Sequence, residues 1–131
     1  MALETVYYLL TNATPVTDLV ALRIYPGVLP EGETLPAITI FDIDETPTGT
    51  KDSASAVDVY EVQVSVHVNA SLGYEQIKPI AAAIKAALNR ITGTVNGASV
   101  NGLTFTGASP EYESDNSTFS KALRFSMRLN P

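Results

Sequence analysis

The chain has 131 residues, with 8 basic against 14 acidic side chains for a net charge of −6, and is 45 % hydrophobic and 17 % charged. That length gives one domain whose core buries roughly two-thirds of the unfolded surface, and the composition is globular rather than disordered. The absence of cysteine excludes disulfides, thiolate chemistry and cysteine-based metal sites, the single His67 cannot build a multi-histidine metal site, and the acidic balance argues against phosphate-driven nucleic-acid binding.

The N-terminus, MALETVYYLLTNATP, lacks a basic n-region, carries Glu4 early and shows no small-residue cleavage site, so no secretion signal is expected. The richest helical segment, PIAAAIKAALNRI, is interrupted by Lys85 and Arg90 and is too short to span a bilayer. The expectation is a soluble protein made in the cytosol, with no membrane partner. Leu3, Val6, Tyr7 and Leu10 follow the spacing of one helix face and predict a helix over 2–12. Thr14 and Pro15 read as N-cap and first position of a second short helix carrying Val16, Leu19 and Val20 and ending near Arg23.

RIYPGVLPEGETLPAITI follows, with Pro26, Gly27, Pro30, Gly32 and Pro36 in quick succession. Each proline fixes φ and biases its predecessor toward extended geometry, so this stretch is read as a stiff non-helical connection into a strand over Ala37 to Ile43. Residues 44–58 have turn formers and little to bury, and are expected to form a long mobile loop. From Val57 to Ala70 the alternation is clean. Tyr60, Val62, Val64, Val66 and Val68 point to a core, and Glu61, Gln63, Ser65, His67 and Asn69 point away from it.

Ser71 is read as the cap of a helix whose buried stripe is Ile77, Ile80, Ile84, Leu88 and Ile91, with Pro79 either kinking it or marking its start and Gly93 ending it. Asn96-Gly97 and Asn101-Gly102 signal two tight turns. A strand is expected over Leu103 to Thr106, entered at Val100. After the polar run EYESDNS a last strand alternates Phe119, Leu123, Phe125, Met127 and Leu129 with Ser120, Ala122, Arg124, Ser126 and Arg128, Lys121 being the exception on the apolar face. The fold class is α+β: a mainly antiparallel four-stranded sheet, two hairpins joined by a helix, with helices packed on one face and a polar second face.

FDIDET places Asp42 and Asp44 at the D-x-D spacing of haloacid-dehalogenase-type phosphatases, which use magnesium and an aspartyl nucleophile. That chemistry needs a parallel βαβ scaffold, and here a loop and another strand follow. Glu45 stands where a small residue is usual, and no downstream acidic pair is evident, so a solvated loop edge is the better reading. His67 has no nucleophile and orienting group arranged around it along the sequence and reads as a surface or interface residue. Arg124 and Arg128, on the polar face, suit phosphate or the acids of a neighbouring subunit, and two arginines are too few for a DNA-binding face.

Charge is also divided along the chain. Eight acids against Lys51 give −7 between Glu31 and Glu61, whereas six basic residues against three acids give +3 from Lys78 onward. Such halves could attract neighbouring copies head to tail, although solvated surface is the better reading for any single charge.

The order of a short N-terminal helix, D-L-V-A-L-R-I-Y-P-G, the Pro/Gly stretch, L-P-A-I-T-I, the valine strand, the alanine-rich helix, and Tyr112 and Asp115 ahead of Phe119 and A-L-R-F-S-M-R-L resembles the tail completion proteins of long-tailed bacteriophages, related in fold to tail terminators. The resemblance covers nearly the whole chain, and Pro79 departs from the usual alanine-rich run. It implies a ring-forming structural virion protein, commonly hexameric, that caps the tail tube and meets the head connector, assembled in the host cytoplasm, with no catalysis and no cofactor. In that setting Glu61, Gln63, His67, Arg124 and Arg128, with Asp44, Glu45, Lys51 and Asp52, are the candidates for the subunit interface or the lumen, where an acidic wall would let DNA pass.

Overall fold

A computed structural model describes residues 2–21, 23–27, 35–47, 58–69, 74–95, 97–112 and 118–129. Three helices, α1 (Ala2–Thr11), α2 (Thr14–Val20) and α3 (Ile77–Leu88), accompany six strands, β1 (Ile24–Pro26), β2 (Ala37–Pro47), β3 (Asp58–Asn69), β4 (Ile91–Val95), β5 (Ala98–Tyr112) and β6 (Thr118–Leu129). The strand order is β1-β2-β3-β6-β5-β4. The expected four-stranded antiparallel sheet is its centre, β2-β3-β6-β5, while β1 adds a parallel edge and β4 an antiparallel one, so the sheet is six-stranded, mixed and curled. Both added strands are too short to carry a periodic signal, one of them lying inside the proline-rich stretch.

The valine alternation holds. Val62, Val64, Val66 and Val68 are buried against Ile38, Ile40, Leu123, Phe125 and Met127 of the neighbouring strands and against Val6, Leu10, Val16, Ile80, Ile84 and Leu88 of the helices. Helices therefore cover one face of the sheet, since an apolar row every second residue can bury only on one side. Register shifts between Asp42 and Asp44, between Val100 and Gly102, and between Phe105 and Gly107 leave extra residues unpaired and bend the strands.

Several expectations are corrected in detail. Residues 44–47 and 58 are not loop but the ends of β2 and β3, paired as Asp44↔Glu61, Glu45↔Tyr60, Thr46↔Val59 and Pro47↔Asp58. Cross-strand hydrogen bonding overrides the weak strand propensity of these residues; 48–57 lie outside the described residues. The N-cap of α2 is Ala13, not Thr14, with the Val16 and Thr17 amides donating to the Ala13 carbonyl at 2.9 and 3.0 Å and no side-chain cap. Ser71 lies outside the described residues. A single 3-10 turn, Tyr74–Gln76, leads into α3, which places Pro79 in the first helical turn, where a missing N–H costs no helical bond.

α3 stops at Leu88 rather than running through Ile91 to Gly93. Asn89 adopts extended ψ and Arg90 has φ 65°; the Arg90 amide donates to the Leu103 carbonyl, and the Phe105 amide donates to Asn89 Oδ1 at 3.0 Å. Ile91 then opens β4, and Gly93 with φ 102° sits at the irregularity in that strand. Val95 and Ala98 pair with Gly97 in the turn between them, Asn96 lying outside the described residues, whereas Asn101-Gly102 is no turn but a bulge inside β5. Gly97 has φ +84°, and a Cβ at that position would meet nothing within 4 Å, so the cost of Gly97→Ala is conformational alone. The expected loss is about 1 kcal/mol, read as a lower midpoint in urea unfolding with an unchanged slope.

The stretch from Arg23 to Ile40 approaches the sheet as expected but joins it earlier. Ile24, Tyr25 and Pro26 lie beside Ile38, Thr39 and Ile40, the Ile38 amide donates to the Arg23 carbonyl at 2.9 Å and the Gly27 amide to the Ile40 carbonyl at 2.8 Å. Arg23 Nε donates to the Pro36 carbonyl at 2.9 Å, tying the two ends of the excursion together. Gly27, at φ +88°, is the point where the chain leaves β1.

Candidate interface on the polar sheet face

The sheet face away from the helices is organised in rows across the strands. One row runs Tyr25, Thr39, Ser65, Ala122, Ser109; the next runs Phe41, Gln63, Arg124, Gly107; a third runs Asp44, Glu61, Ser126, Thr104; and Val59, Arg128 and Gly102 share the following one. The sequence pattern thus places Glu61, Gln63, His67, Arg124 and Arg128 on one face, as β3 and β6 register requires. Asp44 falls in the Glu61 row, Glu45 falls opposite Tyr60, and Lys51 and Asp52 lie outside the described residues.

This face is not uniformly open. Ala37, Thr39, Ser65, Ser120 and Ala122 are buried on it, beneath longer neighbours that fold onto them. Gln63 Nε2 donates to Ser65 Oγ at 3.1 Å, and Arg124 Nη1 donates to Ser109 Oγ at 3.1 Å. His67 bridges three strands, with Nε2 2.9 Å from Thr39 Oγ1 and Nδ1 2.8 Å from Ser120 Oγ. The resemblance of Ser120–His67 to a nucleophile–base pair goes no further, because both hydroxyls are buried and the bonds tie β2 and β6 to β3. Removing the imidazole takes a hydrogen-bond partner from each of two buried hydroxyls. His67→Ala is expected to lower stability by about 1–3 kcal/mol, measured by thermal unfolding, while leaving the far-UV circular dichroism unchanged.

Thr39, Ser109 and Ser120 belong to no sequence motif, although the alternation A-I-T-I-F already puts Thr39 opposite the apolar row of β2. Two groups on the same face behave differently from Arg124 and His67. Arg128 is exposed, and neither it nor Glu61 is held by any side-chain hydrogen bond or ion pair with the described residues. Phe41 is exposed on this face at β2, and Ile43 is exposed at the bulge of that strand; away from the face, Tyr7 and Tyr8 are partly exposed beside Leu3 and Pro26.

The phosphatase alternative finds no scaffold. β2 runs antiparallel into β3, and the bulge between Asp42 and Asp44 breaks the alternate spacing of the two acids. Among the described residues no three His, Asp or Glu side chains are grouped as a metal ion would need, and no helix is long and apolar enough to cross a membrane.

The chain with this curled sheet, helices on one side and a polar, cross-linked second face is a structural protein of the phage-tail class and not an enzyme, as its family match shows. The family model of tail completion protein gp17 matches residues 4–130, and the chain belongs to that family. Comparison with curated proteins returned no match. Among solved structures, the fold is similar to a chain in the virion of a native gene transfer agent (GTA) particle, at 23 % identity and a TM-score of 0.82, over 96 % of this chain and 92 % of that one.

Proposed function

We propose that this tail completion protein assembles into a ring, hexameric as the family resemblance implies, that caps the tail tube and joins it to the head connector, with DNA passing through the lumen. Assembly takes place in the host cytoplasm and the ring resides in the virion. The observation that carries this reading is the polar sheet face: a surface rigidified by His67, Gln63 and Arg124, from which Glu61 and Arg128 project with no side-chain partner among the described residues. Available charges of both signs on a stiff face suit a heterologous contact, in which different patches of successive copies meet and the rotation closes.

Analytical ultracentrifugation across a hundredfold concentration range, with negative-stain imaging of the heaviest species, tests it. A single ring species that grows with concentration is expected. A monomer at every concentration, with no ring on isolated tails, overturns the reading.

A further inference from the structure

Asn101, Gly102, Thr104, Thr106, Ser126 and Arg128 line a shallow cleft of about 440 Å³ between β5 and β6 on the polar face. Its shape comes from the backbone. β5 is bulged twice, between Val100 and Gly102 and between Phe105 and Gly107, and the extra residue of each bulge, Asn101 and Thr106, is a lining residue. Bulges bend a strand and re-aim its side chains, here at the two ends of one short run. Within that run Gly102 is in register with Arg128, so no side chain stands across from the guanidinium. A Cβ at Gly102 would meet nothing within 4 Å, which marks the same open space.

We propose that this cleft is a phosphate-binding site, with the Arg128 guanidinium holding the charge and the Thr104 and Ser126 hydroxyls donating to the remaining oxygens. No carboxylate lines it. Thr106 Oγ1 is used within the fold, donating to the Arg124 carbonyl at 3.1 Å, and the Arg124 guanidinium is turned back onto Ser109. The side chains of Thr104, Ser126 and Arg128, by contrast, have no hydrogen-bond or ion-pair partner among the described residues. Thr104 and Ser126 are register neighbours, and Arg128 follows two residues along β6, about 6.5 Å from Ser126 on the same face. A carboxylate gripped by both arms of the guanidinium has both oxygens occupied there and leaves the hydroxyls unanswered. A phosphate group has further oxygens that diverge tetrahedrally and reach the hydroxyls from the same position. Glu61, in register with Ser126 from the β3 side, does not line the cleft, and its charge opposes an anion there. The source of the group is free phosphate or a phosphodiester of DNA touching this face, since the chemistry that recognises the two is shared.

Titration of the full-length chain with sodium phosphate at constant ionic strength, followed by the amide NMR signals of Gly102, Thr104 and Ser126, tests the site. Saturable shifts confined to β5 and β6 are expected. Arg128→Gln is expected to weaken binding about tenfold or more, the loss of a charge-assisted contact. Gly102→Val keeps the charge but fills the space beside it, and is expected to weaken binding by a similar factor; circular dichroism verifies that both variants are folded. Glu61→Gln removes the opposing charge and is expected to tighten binding about threefold. A short DNA duplex at matched phosphate-group concentration separates the sources: competition with phosphate at these signals assigns the site to the DNA backbone, and its absence assigns it to free phosphate. Shifts that rise without saturation, or binding that Gly102→Val leaves unchanged, overturn the proposal, because the anion then pairs with Arg128 at the open surface. Sodium acetate binding as tightly as phosphate also overturns it, since the cleft would then suit a carboxylate. Ring formation is read separately by ultracentrifugation, so either reading can fail without the other.

Discussion

Val64→Asp is expected to leave the protein unfolded at 25 °C. Val64 is fully buried at the middle of β3, flanked in register by Ile40 on β2 and Leu123 on β6, both buried. An aspartate there faces only apolar side chains, and burying an unpaired carboxylate costs several kcal/mol even after it takes up a proton. The lost valine packing adds about 2 kcal/mol, and the sum is comparable to the whole stability of a domain, about 5–15 kcal/mol. One position earlier the outcome reverses. Gln63→Asp sits on the polar face and is expected to cost about 1 kcal/mol, chiefly the bond to Ser65. Soluble expression and circular dichroism of the two variants decide the matter, and a folded Val64→Asp protein would mean that the faces have been assigned the wrong way round.

Phe125→Ala is expected to lose about 3–5 kcal/mol, the range for emptying a buried aromatic site. Among the described residues Phe125, on β6, is the largest of the fully buried side chains and lies between Val62 on β3 and Phe105 on β5. Its ring meets Phe105 edge to face, with centroids 5.5 Å apart and planes at 63°. Phe105 in turn lies under the Lys85 ammonium, 4.5 Å from its ring centroid, so the pair links the end of α3 to the sheet. Phe125→Leu retains most of the volume and is expected to lose about half as much. For a chain of this size the alanine variant corresponds to a fall in Tm of about 10–20 °C by calorimetry. A fall under a few degrees would show that the site refills by collapse of the surrounding valines.

The parts of this architecture that were legible in the sequence are those set by long periodicity. β3 and β6 alternate over twelve residues each, and α3 repeats its isoleucines at helical spacing, so their faces and partners follow directly. Three kinds of feature were not legible. β1 and β4 are three and five residues long and exist because a long strand beside them offers free backbone groups, which is a tertiary cause. Asn101-Gly102 carries the local chemistry of a turn, but its neighbours are held in register by Phe125, Met127 and Leu129 across the ladder, and the dipeptide is absorbed as a bulge. The third is the distinction between Arg124 and Arg128. Both alternate onto the same face, and only the presence of Ser109 beside one and of an open cleft beside the other separates a bracing arginine from an available one.

The strand order has a further consequence, for how the molecule comes into being. The two strands at the centre of the sheet, β3 and β6, pair along all twelve of their residues, yet β6 is the last of the six in chain order. Until it is in place, β1-β2-β3 on one side and β4-β5 on the other have no strand between them, and each exposes the backbone edge that β6 will pair. The transition to a single core is therefore one late, long-range event that joins partners roughly fifty to seventy residues apart, and it belongs to the slow end of folding rates. Material released with β6 incomplete offers two open sheet edges to other chains, so a tail component of this design is safest when assembly waits for the finished sheet.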